Sequence, residues 1–214
     1  MLAPHVLAAQ GAVSGRLTIQ EREGESTKDL ATAVIYLDPA GGAIGRGREL
    51  EAEIAMHDKT YIPHVRVVPA GSTVTFPNQD PFRHNVFSNS SAGPFDLGLT
   101  PRGQSSRNPF RRPGVYAIYC NIHARMSAFV VAVATPYYTQ AGADGTFIIP
   151  GVPAGRYVLH AWHERGGETT QTLEVPATGI EGLTAVLDAR GYRVATHKNK
   201  FGLDYTASDE DERY

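Results

Sequence analysis

Cysteine is all but missing from this 214-residue chain: Cys120 stands alone, which rules out an intrachain disulfide framework. The one thiol therefore calls for burial or for a ligand role. Net charge is missing too, since 20 Lys and Arg face 22 Asp and Glu, so nothing global points to a nucleic-acid partner. Long apolar runs are absent. The longest, Ala128 to Ala134, falls far short of the roughly 20 residues that a membrane helix needs, so no transmembrane segment is expected. No Ser-His-Asp order, paired-carboxylate motif or His-Glu-x-x-His occurs, which removes the common hydrolase signatures.

What the chain does have is punctuation. Its 22 Gly and 14 Pro separate short runs of Val, Ile, Tyr and Phe, the pattern of strands joined by turns. Strands are expected at Val13 to Ile19, Ala33 to Leu37, Glu53 to His57, His64 to Val68, Ser72 to Phe76, Val115 to Tyr119 and Ser127 to Val133, with a long loop-rich stretch from Pro77 to Arg112. A second module is expected from about Pro136, where Asp144-Gly145 opens Thr146 to Ile149 and a Pro/Gly turn leads into Arg156 to Leu159. Thr169 to Val175 and Leu183 to Leu187 would complete it. The expected division is a signal remnant or disordered start over 1–10, a first module over 11–135, a smaller antiparallel β module over 136–190 and a polar, acidic tail over 191–214. Val6-Leu7-Ala8-Ala9-Gln10 resembles the end of a secretory signal, so a periplasmic or secreted protein is expected.

The chemistry gathers at Tyr119-Cys120-Asn121-Ile122-His123-Ala124-Arg125-Met126, between two expected strands, with Arg83-His84-Asn85 upstream. A thiolate, two imidazoles and a thioether suit copper that cycles between two oxidation states, with Met126 as a weak axial ligand beside His84, Cys120 and His123. Structural zinc prefers further Cys or His to a Met. As ordinary residues the four would be a buried core thiol, a gap-filling Met and two surface histidines. His160 and His163 fall on opposite faces of a strand, and His57, His64 and His197 lack a partner at ligand spacing, so these default to structural or surface roles.

Cys120-x-x-His123-x-x-Met126, the upstream His84-Asn85 pair and the run from Tyr61-Ile62-Pro63-His64 through Gly71-Ser72-Thr73-Val74-Thr75-Phe76-Pro77-Asn78-Gln79-Asp80 together resemble the cupredoxins, small blue copper proteins of the plastocyanin and amicyanin type. The resemblance spans about His57 to Val133 and implies an all-β, Greek-key cupredoxin β-sandwich with one type 1 copper. It implies His84, Cys120 and His123 as equatorial ligands, Met126 as the axial one, and Asn85 hydrogen-bonding near the thiolate to steady the two loops. It also implies an electron port where the edge of His123 reaches the surface, for which Pro81, Phe82, Ile122 and Ala124 are the local candidates. The Asp144 to Leu159 text is similar to carboxypeptidase-regulatory or transthyretin-like β modules, and the pair of modules resembles bacterial methylamine-utilisation-type proteins.

The stretch Pro81 to Met126 holds Arg83, Arg102, Arg107, Arg111, Arg112 and Arg125 against Asp96 as its only acid. A basic rim that docks an acidic redox protein is therefore expected, with plain solvated arginines as the alternative. Blue-copper enzymes such as multicopper oxidases wire their centres through a His beside the copper Cys. Here Cys120 is flanked by Tyr119 and Asn121, so the expectation is an electron carrier and not an enzyme. Copper delivery or storage would favour exposed, Met-rich ligands, and the chain has 3 Met in all. An accessory cell-envelope β-module protein is the remaining alternative.

Overall fold

A computed structural model describes residues 10–41, 47–194 and 196–205. The signal-like start falls almost wholly outside these residues, and the acidic run Asp209 to Glu212 falls wholly outside them. The fold is all-β. Along the chain come β1 (Gln10–Gln20), β2 (Val34–Pro39), β3 (Glu51–Glu53), β4 (Ala55–His57), β5 (Thr60–Ile62), β6 (Val65–Pro69), β7 (Thr73–Pro77), β8 (His84–Ser88) and β9 (Phe95–Thr100). Then follow β10 (Ser105–Pro109), β11 (Gly114–Tyr119), β12 (Ser127–Val133), β13 (Tyr138–Gln140), β14 (Thr146–Pro153), β15 (Gly155–His163), β16 (Gly167–Val175) and β17 (Gly179–Asp188). No helix among the described residues is long and apolar enough to cross a membrane.

These strands form two compact units, one drawn from Met1–Arg46 and Thr135–Tyr192, the other from Gly47–Ala134 and Arg193–Tyr214. Residue 135 falls where the chain passes from one unit to the other. Residues 11 to 41, expected in the first module, belong with the second. Strand β1 lies between β14 and β17, pairing antiparallel with the first and parallel with the second, and β2 lies between β13 and β15. In place of an appended antiparallel module there is a discontinuous unit with one parallel strand pair, β1 with β17, into which residues 47–134 are inserted. Its core follows from period-two burial: Val13, Leu17 and Ile19 of β1 meet Ile35, Leu37, Phe147, Ile149, Leu159 and Leu187. At Gly15 a Cβ would lie 2.1 Å from the Leu183 carbonyl oxygen, so the close run of β1 past β17 requires glycine there.

The other unit is a sandwich of a five-stranded sheet, β6-β12-β11-β8-β9, and a three-stranded sheet, β10-β7-β3, with the β4-β5 hairpin beside them. Phe76, Phe110, Ile118, Met56 and Val130 are buried between the layers together with Cys120 and Met126. The stretch from Pro77 to Arg112, expected to be loop-rich, contains β8, β9 and β10. The last two escape detection because Phe95 to Thr100 and Ser105 to Pro109 have almost no β-branched residues and sit half-exposed at sheet edges. Strand pairing with β8 and β7, and not local propensity, makes them strands.

Candidate metal centre

Three neighbouring strands of the five-stranded sheet, β12, β11 and β8, deliver the site. Strand β11 ends at Tyr119, β12 starts at Ser127, and these two residues are the last register pair of an antiparallel hairpin, so Cys120 to Met126 form its connection. Within that connection the Cys120 amide donates to the Met126 carbonyl at 3.2 Å and the Met126 amide to the His123 carbonyl at 3.0 Å. The turn is thereby closed on itself with its Cys and Met at either end, both buried. His84 opens β8, which borders β11 on the other side and is buried along its whole length.

Three donor atoms converge as a result. His84 Nδ1 lies 3.9 Å and His123 Nδ1 3.5 Å from Cys120 Sγ, and the three atoms all fall within 4.8 Å of one another. The two imidazole rings are 4.8 Å apart, with the Phe82 ring 5.1 Å from His84 and 5.8 Å from His123. Met126 is 1 % exposed and shares the core cluster with Cys120. His123 is half-buried and lines a cleft of about 320 Å³ with Lys59, Ala124, Arg125 and Met126.

Burial sets the protonation of these groups. It pushes the Cys120 thiol up, although the backbone amides of Ile122, Asn85 and His123 point at the sulfur and favour its anion. It pushes His84 down, against the pull of the Asp80 carboxylate, and pushes His123 down to about 4, helped by the neighbouring His84 and Lys59. At neutral pH the site thus holds two uncharged imidazoles and a thiol whose ionisation calls for a nearby cation. A soft or borderline metal ion meets that demand, and the donor set fits copper.

The His84 ring has a fixed direction as well as a protonation state. His84 Nε2 donates to Asp80 Oδ2 at 2.7 Å, which turns Nδ1 toward the sulfur. Asp80 is itself buried, and burial alone would raise its carboxyl. The amides of Lys59 at 2.9 Å and Asp58 at 2.7 Å, together with His84, outweigh that and hold it low. Asn78 shapes the approach to His84: its Nδ2 donates to the Phe82 carbonyl at 2.7 Å and the Thr100 carbonyl at 2.9 Å, and its Oδ1 accepts the Asp80 amide at 3.0 Å. Buried Tyr61 bridges the two ligand strands, its hydroxyl 2.7 Å from the Asn85 carbonyl and 3.2 Å from that of Tyr119. Lys59 carries no motif, and Tyr61 and Asp80 stand at the two ends of the run that resembles the cupredoxins without a role of their own in it. Only the place of Asp80 four residues before His84, at the end of the Asn78-Gln79-Asp80 run, could have marked it.

The structure distributes the other expected site residues unevenly. Asn85 approaches the sulfur through its backbone amide, while its side chain turns away to donate to Asp96 Oδ1 and the Gly98 carbonyl, both at 2.8 Å. Phe82 touches both histidines and Ala124 lines the cleft, whereas Ile122 packs against the core and Pro81 is exposed. Of the arginines, Arg125 lines the cleft, Arg83 precedes His84, and Arg102 sits in the turn whose Gly103 amide donates to the Asn78 carbonyl. Arg107 lies midway along β10, paired with Glu51 at 3.2 Å. Arg111 and Arg112 precede β11, and that six-residue strand puts them roughly 17 Å from its Cys120 end. Of the six arginines expected as a basic rim, Arg125 lines the cleft, where Lys59 joins it. A second group, His57, Asp58 and Asp80, also brings donor atoms together, but the Asp80 oxygens already serve His84 and two amides.

No protein-family description and no curated protein matches this chain. Solved structures similar to it include a purple cupredoxin from Nitrosopumilus maritimus, 26 % identical over 38 % of this chain and 99 % of that one, with a TM-score of 0.35. Amicyanin from Paracoccus versutus is 21 % identical over 39 % of this chain and 81 % of its own, with a TM-score of 0.37. A Cu-containing nitrite reductase from Thermus scotoductus is 26 % identical over 46 % of this chain, at a TM-score of 0.38, and the match spans 26 % of the reductase.

Proposed function

We propose that this protein carries single electrons on one type 1 copper ion held by His84, Cys120 and His123, with Met126 as a weak fourth ligand. The observation that carries this reading is the convergence of two uncharged imidazole nitrogens, at 3.9 and 3.5 Å, on a buried thiol. Bound copper would supply a one-electron couple. The chain's part is to keep the donors still: His84 is oriented by Asp80, Cys120 is surrounded by three amides, and the ligand turn is closed by its own hydrogen bonds. Donors that do not move between oxidation states keep the reorganisation cost of transfer small.

Burial of Cys120, His84 and Met126, each at 1 % exposure or less, favours a resident redox ion over one that is handed on, because delivery needs accessible ligands. The half-buried His123 ring, beside its cleft, is the proposed route for electrons. Lys59, Arg83, Arg102 and Arg125 around that end would steer an acidic redox protein. Electron exchange with such a partner should then slow as salt rises, and a rate indifferent to ionic strength would remove the docking proposal. The signal-like Val6 to Gln10 supports a periplasmic or secreted setting. The discontinuous unit, with its resemblance to carboxypeptidase-regulatory modules, is proposed to present the copper unit to its surroundings and not to take part in the chemistry.

The test is to add Cu(II) to the purified protein and record its visible spectrum, then repeat with Cys120→Ser. An intense thiolate-to-copper band that the substitution abolishes is expected. A colourless protein that binds zinc in its place would overturn the proposal.

A further inference from the structure

The described residues 196–205 lie within the same unit as the ligand turn and make contact with it. Asn199 shapes this segment locally: its Oδ1 accepts the amides of Phe201 and Leu203, both at 3.0 Å, and its own amide donates to the Leu203 carbonyl at 2.8 Å. That compact loop carries His197 and Tyr205 on its two arms, and their rings meet edge to face at 5.2 Å.

Both arms end on the ligand turn. The Tyr205 hydroxyl donates to the carbonyl of Cys120 at 2.7 Å, and His197 Nε2 lies 3.2 Å from the carbonyl of His123. Between them the Lys200 amide donates to Asn121 Oδ1 at 2.9 Å, and Lys200 Nζ pairs with Asp96 at 2.7 Å. The His197 ring also stacks on Tyr119, with centroids 4.3 Å apart and planes 19° from parallel. The turn's internal hydrogen bonds engage the Cys120 amide, the Met126 amide and carbonyl, and the His123 carbonyl. They do not engage the Cys120 carbonyl, which is where Tyr205 attaches. Fixing a residue's carbonyl fixes its ψ, and ψ together with φ sets where the side chain points.

We propose that residues 196–205 are a positioning strap for the metal centre, in which Tyr205 and His197 hold the carbonyls of two ligand residues from outside and so fix the Cys120–His123 spacing. The inference deepens the copper reading and rests on it for its consequence, but the strap has an effect on the turn that exists without metal. Neither residue is a ligand; both act through the backbone of residues that are.

The experiment uses the full chain with Tyr205→Phe, His197→Phe and the double substitution, which keep the aromatic packing and remove only the hydrogen bonds. In metal-free protein, amide exchange of Cys120 and Met126 should accelerate about thirtyfold in the double variant, the loss expected from two hydrogen bonds at about 1 kcal/mol each. Amides in the middle of β11 and β12 should exchange as before. In copper-loaded protein, a Cu(I) chelator should strip the metal from the double variant up to about thirtyfold faster, and the charge-transfer band should shift. Unchanged exchange and stripping, or an acceleration spread evenly over the whole unit, overturns the strap. A parent protein that never turns blue overturns the copper reading, and the metal-free exchange still decides the strap. A blue parent whose variants are indistinguishable from it overturns the strap alone.

Discussion

Asp80 sits four residues before His84, and its carboxylate accepts the ring Nε2–H as well as two backbone amides. Replacing it with Asn keeps the shape of the loop and weakens the grip on His84. Copper affinity of Asp80→Asn, read by competition with a chelator, should fall roughly tenfold or more, as is usual when the partner behind a ligating histidine is removed. The thiol makes a second prediction at this scale. Because His84 and His123 are held neutral and Cys120 is held protonated, copper uptake at pH 7 should release about one proton per ion, measurable in unbuffered solution. Release of two or more would mean that an imidazole is charged in the metal-free site.

The elements show where local sequence suffices and where it does not. Cys120, His123 and Met126 are legible because one hairpin connection carries them at short spacing, and His84 because it opens a buried strand. Asp80 is legible only through its place four residues before His84, while Lys59, Tyr61, His197 and Tyr205 are not legible, because each acts on a segment to which no spacing rule connects it. The same limit misplaced β1 and β2: period-two burial reveals that a segment is a strand and which face is apolar, but not whether its partner is 10 or 170 residues away. Glu21 belongs to this set too. Its carboxylate takes two 2.8 Å hydrogen bonds from Arg165, which also binds Asp29, across 144 residues of chain. The Arg165 contact holds the Glu21 carboxyl below its usual value of 4.5, so the stabilisation is fully present above that value and is lost as pH falls through the lower folded one. Glu21→Gln should cost about 2 kcal/mol at pH 7 and flatten the acid limb of the stability profile below about pH 4.5. Gly15→Ala should cost about 2 kcal/mol as well, by forcing β1 from β17, and denaturant titration would measure it.

At the scale of the molecule, two cores lie in two units, and the proposed ligands all belong to one of them. On the proposed reading copper binds the folded form of that unit, so adding it should raise a melting transition assigned to residues 47–134 and 193–214 and leave that of the other unit where it was. Calorimetry with and without the ion tests this, and an equal rise in both would mean that the units unfold as one. The insertion also bears on how this protein is cut for study. A recombinant fragment trimmed to residues 11–135 would carry β1 and β2 stripped of β13 to β17, leaving bare strand edges of the kind that glue chains into aggregates. It would also discard His197 and Tyr205, so its turbidity and a dull spectrum would report the scissors and not the protein.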